Sequence, residues 1–181
     1  MKDIALHILD VVNNSISAKA TFIEITIDEQ IDANIYELNI IDNGRGMSPE
    51  VVQRVTDPFY TTRTTRKVGM GIPLLKQNAE HTGGTLIITS EEGKGTNIKV
   101  TFEYNNIDRP PNGDLAGVLT ILITGNAEVD FLYTHIIRDR TVVIDTREIK
   151  EALEGVSIDN PQIIRYLSEM FEENINEILN N

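Results

Sequence analysis

The stretch IYELNIIDNGRGM, residues 35–47, decides how the chain is read. Ile35 to Ile41 has the β-branched, alternating character of a strand. It runs into Asp42-Asn43-Gly44-Arg45-Gly46-Met47, which is too rich in Asn and Gly to continue in a regular element. An Asp just beyond a strand end can accept a hydrogen bond from an exocyclic amine, and the two glycines after it let backbone approach a flat ring. The same residues also suit an ordinary Asx-type turn.

Upstream, Thr21 to Ile27 alternates with Ile23, Ile25 and Ile27 on one side and predicts a second strand, with polar Asp28 to Asn34 as the hairpin loop. Residues 3–18 predict a helix. Ile4, Ile8, Val11, Val12 and Ile16 recur at helical spacing, and His7, Asp10, Asn14 and Ser17 recur on another face. Downstream, Ser48-Pro49-Glu50 has a capping hydroxyl and a first-turn proline and predicts a helix start. Residues 57–69, rich in Thr and Arg, read as a loop. Ile72 to His81 reads as a helix stopped by Gly83-Gly84. Thr85 to Ser90 and Thr96 to Tyr104 read as strands joined by the glycine-rich turn 91–95. Hairpin connections with interleaved helices predict an α/β two-layer sandwich, helices on one face of a mixed sheet.

The turn-rich Asn105 to Gly113, with Pro110-Pro111 and Asn112-Gly113, divides residues 1–106 from a C-terminal extension, 107–181. The extension predicts a helix from Leu115, strands near Val129–Ile137 and Thr141–Ile144, and helices near Arg147–Leu153 and Pro161–Leu179. The last helix places Ile163, Ile164, Leu167, Met170, Phe171, Ile175 and Ile178 near helical spacing. It suits packing on the rest of the chain, or a surface for a protein partner or a homodimer.

Of 181 residues, 40% are hydrophobic and 24% charged, ordinary for a globular protein. Without cysteine there is no disulfide, thiolate catalysis or cysteine-ligated zinc. The longest aliphatic run, Val118 to Ile123, is far below the roughly 20 residues that span a bilayer. The N-terminus lacks the apolar core of a signal peptide, so the expected location is cytoplasmic, away from membranes. The net charge of −12 argues against non-specific nucleic-acid binding. Residues 107–181 hold 6 basic and 14 acidic side chains, against 10 and 14 in residues 1–106, so the acidity lies mainly in the extension, as a solubilising surface.

Four places can carry chemistry. Asp10 and Asn14, four apart on a helix, share a face, where a carboxylate and an amide suit hydrated Mg²⁺ and a water nucleophile, or simply a solvated polar stripe. Asp42 to Met47 is the second place. Lys67-Val68-Gly69-Met70-Gly71 opens a helix, whose exposed N–H groups and dipole attract anions. Arg63, Arg66 and Lys67, among Thr61, Thr62, Thr64 and Thr65, add cations and hydroxyls suited to a triphosphate, or a solvated basic loop. Gly93-Lys94-Gly95-Thr96 is the fourth, and alone it reads as a hairpin turn.

In this order these segments resemble a known superfamily. Asp10 to Ala18, DVVNNSISA, resembles the N box of the gyrase, chaperone, histidine-kinase and MutL ATPases. Asp42 to Met47 resembles the G1 box, Asp57 to Thr62 the F box of histidine kinases, Gly69 to Gly84 the G2 box and its helix, and Gly93 to Phe102 the final glycine-threonine strand. The likeness covers residues 3–104. It implies an α+β Bergerat fold, a two-layer sandwich with a largely antiparallel mixed sheet, and ATP with Mg²⁺ as cofactors. It implies an ATP site drawn from Asn14, Asp42, Gly44, Gly46, Met47, Thr62, Arg63, Arg66, Lys67, Val68, Gly69, Met70, Gly71, Ile72 and Thr96. Asn14 would meet Mg²⁺ and Asp42 the adenine amine, while Asp10 stands where hydrolytic members carry a Glu that activates water.

Asp10 is one methylene shorter than that Glu, so hydrolysis is expected to be slow or absent. Ser17 replaces an Asp usual in gyrase-like members, and Pro73 sits in the first turn of its helix, where proline is tolerated. His7, His81 and His135 are expected to be structural, since none carries the phosphoacceptor motif of histidine kinases. The expectation is an ATP-binding regulator that acts as a slow ATPase or phosphorylates a separate protein. The alternatives are a nucleotide-gated binding module and a serine kinase similar to anti-sigma factors. The arrangement as a whole, by no single residue, also resembles ATPases associated with iron–iron hydrogenase and NADH-linked redox clusters.

Overall fold

The computed structural model describes residues 3–57 and 71–180. Its elements run α1 (Ile4–Ser17), β1 (Phe22–Gln30), a 3₁₀ turn (Ile31–Ala33), β2 (Ile35–Asp42), α2 (Pro49–Arg54), α3 (Gly71–His81), β3 (Leu86–Glu91) and β4 (Gly95–Glu103). Then come α4 (Leu115–Thr124), β5 (Asp130–Ile137), β6 (Arg140–Asp145), α5 (Thr146–Ala152) and α6 (Pro161–Asn180). The strands form one six-stranded sheet in the order β3-β4-β2-β1-β5-β6. Among the described residues only the β1–β5 pairing is parallel.

Strict alternation builds the two layers. Ile23, Ile25 and Ile27 of β1, Tyr36, Leu38 and Ile40 of β2, and Ile98, Val100 and Phe102 of β4 are buried on one face. Apolar faces of α1, α3, α4 and α6 close over them in a single core. On the other face, Glu24, Thr26, Asn39 and Lys99 stay half-buried or exposed. The α+β two-layer architecture expected from the sequence is the one observed. The extension's strands continue the same sheet, β5 beside β1, and its helices α4 and α6 share that core.

Two local expectations change. The hairpin loop predicted over Asp28 to Asn34 is shorter: β1 runs on through Gln30, and the turn closes at Asn34 in the left-handed region, φ 56°. Polar Asp28, Glu29 and Gln30 mask the strand, because Glu29 is buried by pairing with groups far away in the chain. At Ser48-Pro49-Glu50 a helix does start, but the Ser48 side chain makes no capping bond; its carbonyl accepts from Val51 and Val52 instead.

α1, the helix that carries the site, is held at its N-terminus from two sides. The Asp3 side chain accepts from the Leu6 N–H at 2.8 Å. The carbonyls of Pro111 and Asn112 accept from Ile4 and Ala5 at 2.9 and 3.0 Å. Three of the N–H groups that a helix start leaves without an intrahelical partner are thereby satisfied.

Candidate functional site

Asp42 ends β2 and stands opposite Thr96 of β4, which in turn stands opposite Ser90 of β3. Strand alternation puts the three side chains in one row on the helix-covered face. Asp42 is buried and bonded on both oxygens: Oδ1 accepts from the Gly44 N–H at 2.8 Å and Oδ2 from the Ser15 hydroxyl at 2.6 Å. The first of these is an Asx turn, and it orients the carboxylate. Each oxygen keeps further lone-pair capacity.

The loop after Asp42 is clamped against its neighbours. Arg45 N–H donates to the Ala18 carbonyl at the end of α1, and Asn43 Oδ1 accepts from the N–H groups of Thr21 and Phe22. Gly46 has φ +67°, and a Cβ there would overlap the Glu91 carbonyl; Gly95, φ +104°, lies as closely against the Asp42 carbonyl. These two glycines let backbone pack on backbone where the loop meets the β3–β4 turn. Met47 N–H donates to Ser90 Oγ at 2.8 Å. A groove of about 310 Å³ opens at this end of the sheet, lined by Ile41, Asp42, Thr89, Ser90, Glu91, Lys94, Gly95, Thr96 and Asn97.

Asp10 and Asn14 are both half-buried on α1, one turn apart. The Asp10 carboxylate lies directly against Gly71, the first residue of α3, and any side chain there would overlap it. Ile72, next in line, is buried in the core. α1 and α3 touch again one turn earlier on α1, where the Asn78 side-chain amide donates to Nε2 of buried His7 at 2.9 Å. Burial pushes the His7 pKa down to about 4, so the imidazole is neutral near pH 7. Thr62, Arg63, Arg66, Lys67, Val68, Gly69 and Met70 lie outside the described residues.

The structure therefore brings Asp10, Asn14, Asp42, Gly44, Gly46, Met47, Gly71 and Thr96 to one end of the sheet around the end of α1 and the start of α3. Reading the sequence missed Ser15 and Ser90. Ser15 directly follows Asn14 but faces the sheet, and Ser90 continues the Leu86, Ile88 alternation onto the covered face; both signals were present as spacing alone. Among the described residues no three His, Cys, Asp or Glu side chains cluster as a metal site. No helix among them is long and apolar enough to cross a membrane.

Comparison with known proteins places this geometry. The family model described as histidine kinase-, DNA gyrase B-, and HSP90-like ATPase matches residues 2–106. The putative sensor histidine kinase NtrY-like of Rickettsia conorii is 31% identical over 86 residues, 48% of this chain and 14% of that protein. A putative sensor protein of Shewanella frigidimarina is 37% identical over 79 residues, 43% of this chain and 12% of that protein. The chain thus spans a small part of the length of these relatives. The ATPase domain of Aquifex aeolicus MutL, solved with ADP, superposes with TM-score 0.51 at 15% identity, covering 85% of this chain and 70% of that one. The N-terminal domain of a DNA repair protein superposes with TM-score 0.57 at 20% identity, covering 80% and 52%. Since the matched region takes in more than half of the sequence and holds every residue of the site, the chain belongs to the histidine kinase-, DNA gyrase B- and HSP90-like ATPase family.

Proposed function

We propose that the protein binds ATP with Mg²⁺ at the end of the sheet around Asp42 and acts on a separate protein, as a slow ATPase or as a kinase. The observation that carries this reading is the state of the Asp42 carboxylate. It is buried, aimed by Gly44 and Ser15, and still able to accept a hydrogen bond from an adenine amine. The loop around it is cradled by glycines that leave backbone free to approach a ring.

Asn14 would hold the metal, with Asp10 one turn away as the group that would act on a water. The Asn14 amide offers one hard oxygen donor, which suits an ion that keeps most of its water and takes its other ligands from phosphate. When bound, Mg²⁺ would neutralise phosphate charge. The chain's own part is to orient that phosphate against the start of α3, where the N–H groups and the helix dipole favour anions. The basic residues Arg63, Arg66 and Lys67 would add cations, and the extension 107–181 would offer the surface that a partner reads.

Asp10 favours a second reading, a nucleotide-gated binding module without chemistry. Its short carboxylate rests on Gly71, occupied with the α1–α3 contact. Calorimetric titration with ADP and a non-hydrolysable ATP analogue, with and without Mg²⁺, tests the nucleotide site. Mg²⁺-dependent binding in the micromolar range is the expected result, and no binding to folded protein would end this reading. A single-turnover assay for phosphate release or transfer then separates catalysis from gating.

A further inference from the structure

The sheet has two edge strands, β3 and β6, and they are finished differently. β3 has α2 packed beside it and the Met47 N–H bonded to its Ser90. β6 has no such cover. The β5–β6 hairpin turns through Arg138 and Asp139 and pairs Ile137 with Arg140. The residues that close a two-residue hairpin bond to each other, so Arg140, Val142 and Ile144 turn their N–H and C=O groups toward β5. Thr141, Val143 and Asp145 then turn theirs off the sheet. Among the described residues nothing bonds to the backbone of Thr141 or Val143. No proline, lysine or bulge guards this edge, where pairing with β5 runs unbroken from Asp145 to Arg140. The helix that follows, α5, leaves the edge clear. It turns back over β5, where Lys150 reaches Asp130 at 2.6 Å and the Arg147 guanidinium lies 4.9 Å from the Phe22 ring centre.

We infer that a second copy of this chain docks on β6, antiparallel about a two-fold axis through Val143, and joins two six-stranded sheets into one. Residues opposed in an antiparallel pair must both face outward or both face inward, which excludes an axis between two residues. Of the axes that remain, the one through Val143 sets Arg138 of each copy level with Glu148 of the other. Val143 then faces Val143, and Thr141 faces Asp145. The hairpin tip of one copy, with Arg138 and Arg140, comes beside the first turn of α5 in the other, where Glu148 is exposed. A chain of net charge −12 repels its own kind over most of its surface. Along this edge the signs alternate, so a basic tip meets an acidic helix start, and the two-fold makes that contact twice. β1, β5 and β6 separate Asp42 from the axis, so each copy keeps its own site and the inference stands apart from the nucleotide reading.

The edge is short, so the dimer is expected to form between roughly 1 and 100 μM, read as a doubling of mass in analytical ultracentrifugation of the full chain. Val143→Pro removes an N–H that the fold itself does not use, and Val143→Lys sets two like charges face to face on the axis. Each is expected to weaken self-association at least tenfold, with a urea unfolding midpoint close to that of the dilute wild-type monomer. The Lys variant carries the test if the Pro variant fails to fold. Arg138→Glu and Glu148→Arg should each weaken the dimer, and an equal mixture of the two should recover it, because every junction in the mixed dimer again joins opposite charges. The chain has no cysteine. Val143→Cys should therefore give a disulfide-linked dimer under mild oxidation, and Ile87→Cys should not, although Val143 and Ile87 are 58% and 55% exposed on the two edge strands. A monomer throughout this range overturns the inference. So does a dimer that Val143→Lys leaves intact, or cross-linking at Ile87→Cys as fast as at Val143→Cys.

Discussion

The two ends of the sheet treat buried polar groups in opposite ways. At the far end, Glu29 of β1 is buried and its Oε1 accepts from His135 Nε2 at 3.0 Å and from the Asn112 amide at 3.2 Å. The other ring nitrogen of His135, Nδ1, pairs with the Tyr133 hydroxyl at 3.0 Å. Tyr36 donates to Asn112 at 2.8 Å, and the Arg109 guanidinium lies 4.7 Å from the Tyr36 ring centre and 5.0 Å from that of Tyr104. Burial alone would raise the Glu29 pKa, but bonds from His135, Asn112 and Tyr104 hold it below the usual carboxylate value. At the near end, Asp42 accepts one bond on each oxygen, from Gly44 and from Ser15, and each oxygen keeps lone-pair capacity. A closed network holds the fold together; an unfinished one is a place for a ligand. The residue types overlap, and what differs is whether the partners come from within the chain.

That contrast can be broken by mutation, beginning with the largest effect. Glu29→Ala should destabilise the protein by about 3 kcal/mol in urea unfolding, since it strands His135 and Asn112 in the core, while nucleotide affinity stays within about twofold. A comparable loss of nucleotide binding would mean the ends are coupled. Asp42→Asn should do the reverse. It puts an amide donor against the base amine and should weaken ADP roughly 100-fold by calorimetry, with little change in the unfolding midpoint.

Acid sharpens the same comparison. His7 is held at a pKa of about 4 by burial, against 6.5 when unfolded, so the unfolded chain binds more protons between these values. Its stabilisation is present above pH 6.5 and is lost as pH falls from 6.5 toward 4, by about 2 kcal/mol at pH 5. His7→Gln should remove that slope from urea unfolding measured against pH. Glu29, whose pKa is also lowered, contributes above its ordinary 4.5 and loses its contribution as pH falls below it, so acid reaches the two groups in successive windows. The smallest effect is a control: Lys94→Ala breaks an exposed 2.8 Å pair with Glu91 and should change stability by no more than about 0.5 kcal/mol.

Most of the near end was legible in the sequence because its parts are local. Asp42 and its glycines are contiguous, Asp10 and Asn14 are one helical turn apart, and Thr96 follows a glycine turn. The far end was not. Glu29 looked like a loop residue because its partners His135 and Asn112 lie 106 and 83 residues away. No local pattern shows that a carboxylate is satisfied from such a distance. The same holds for Ser90: alternation gives its face, but only the β3–β4 register puts it beside Thr96. The parallel β1–β5 pairing was hidden too, since hairpin signals suggest neighbours and this pairing has none.

That pairing has a consequence for how the chain is made. β1 meets β2 within a few residues, but its other edge waits for β5, and Phe22 pairs with Asp130. During synthesis more than a hundred residues must follow before that edge is covered, and α1 awaits α4 over the same interval. Loop closure on this scale slows folding, and an uncovered strand rich in isoleucine is a template for other chains. The final third of the sequence therefore supplies the strand that covers an edge left open by the part made before it.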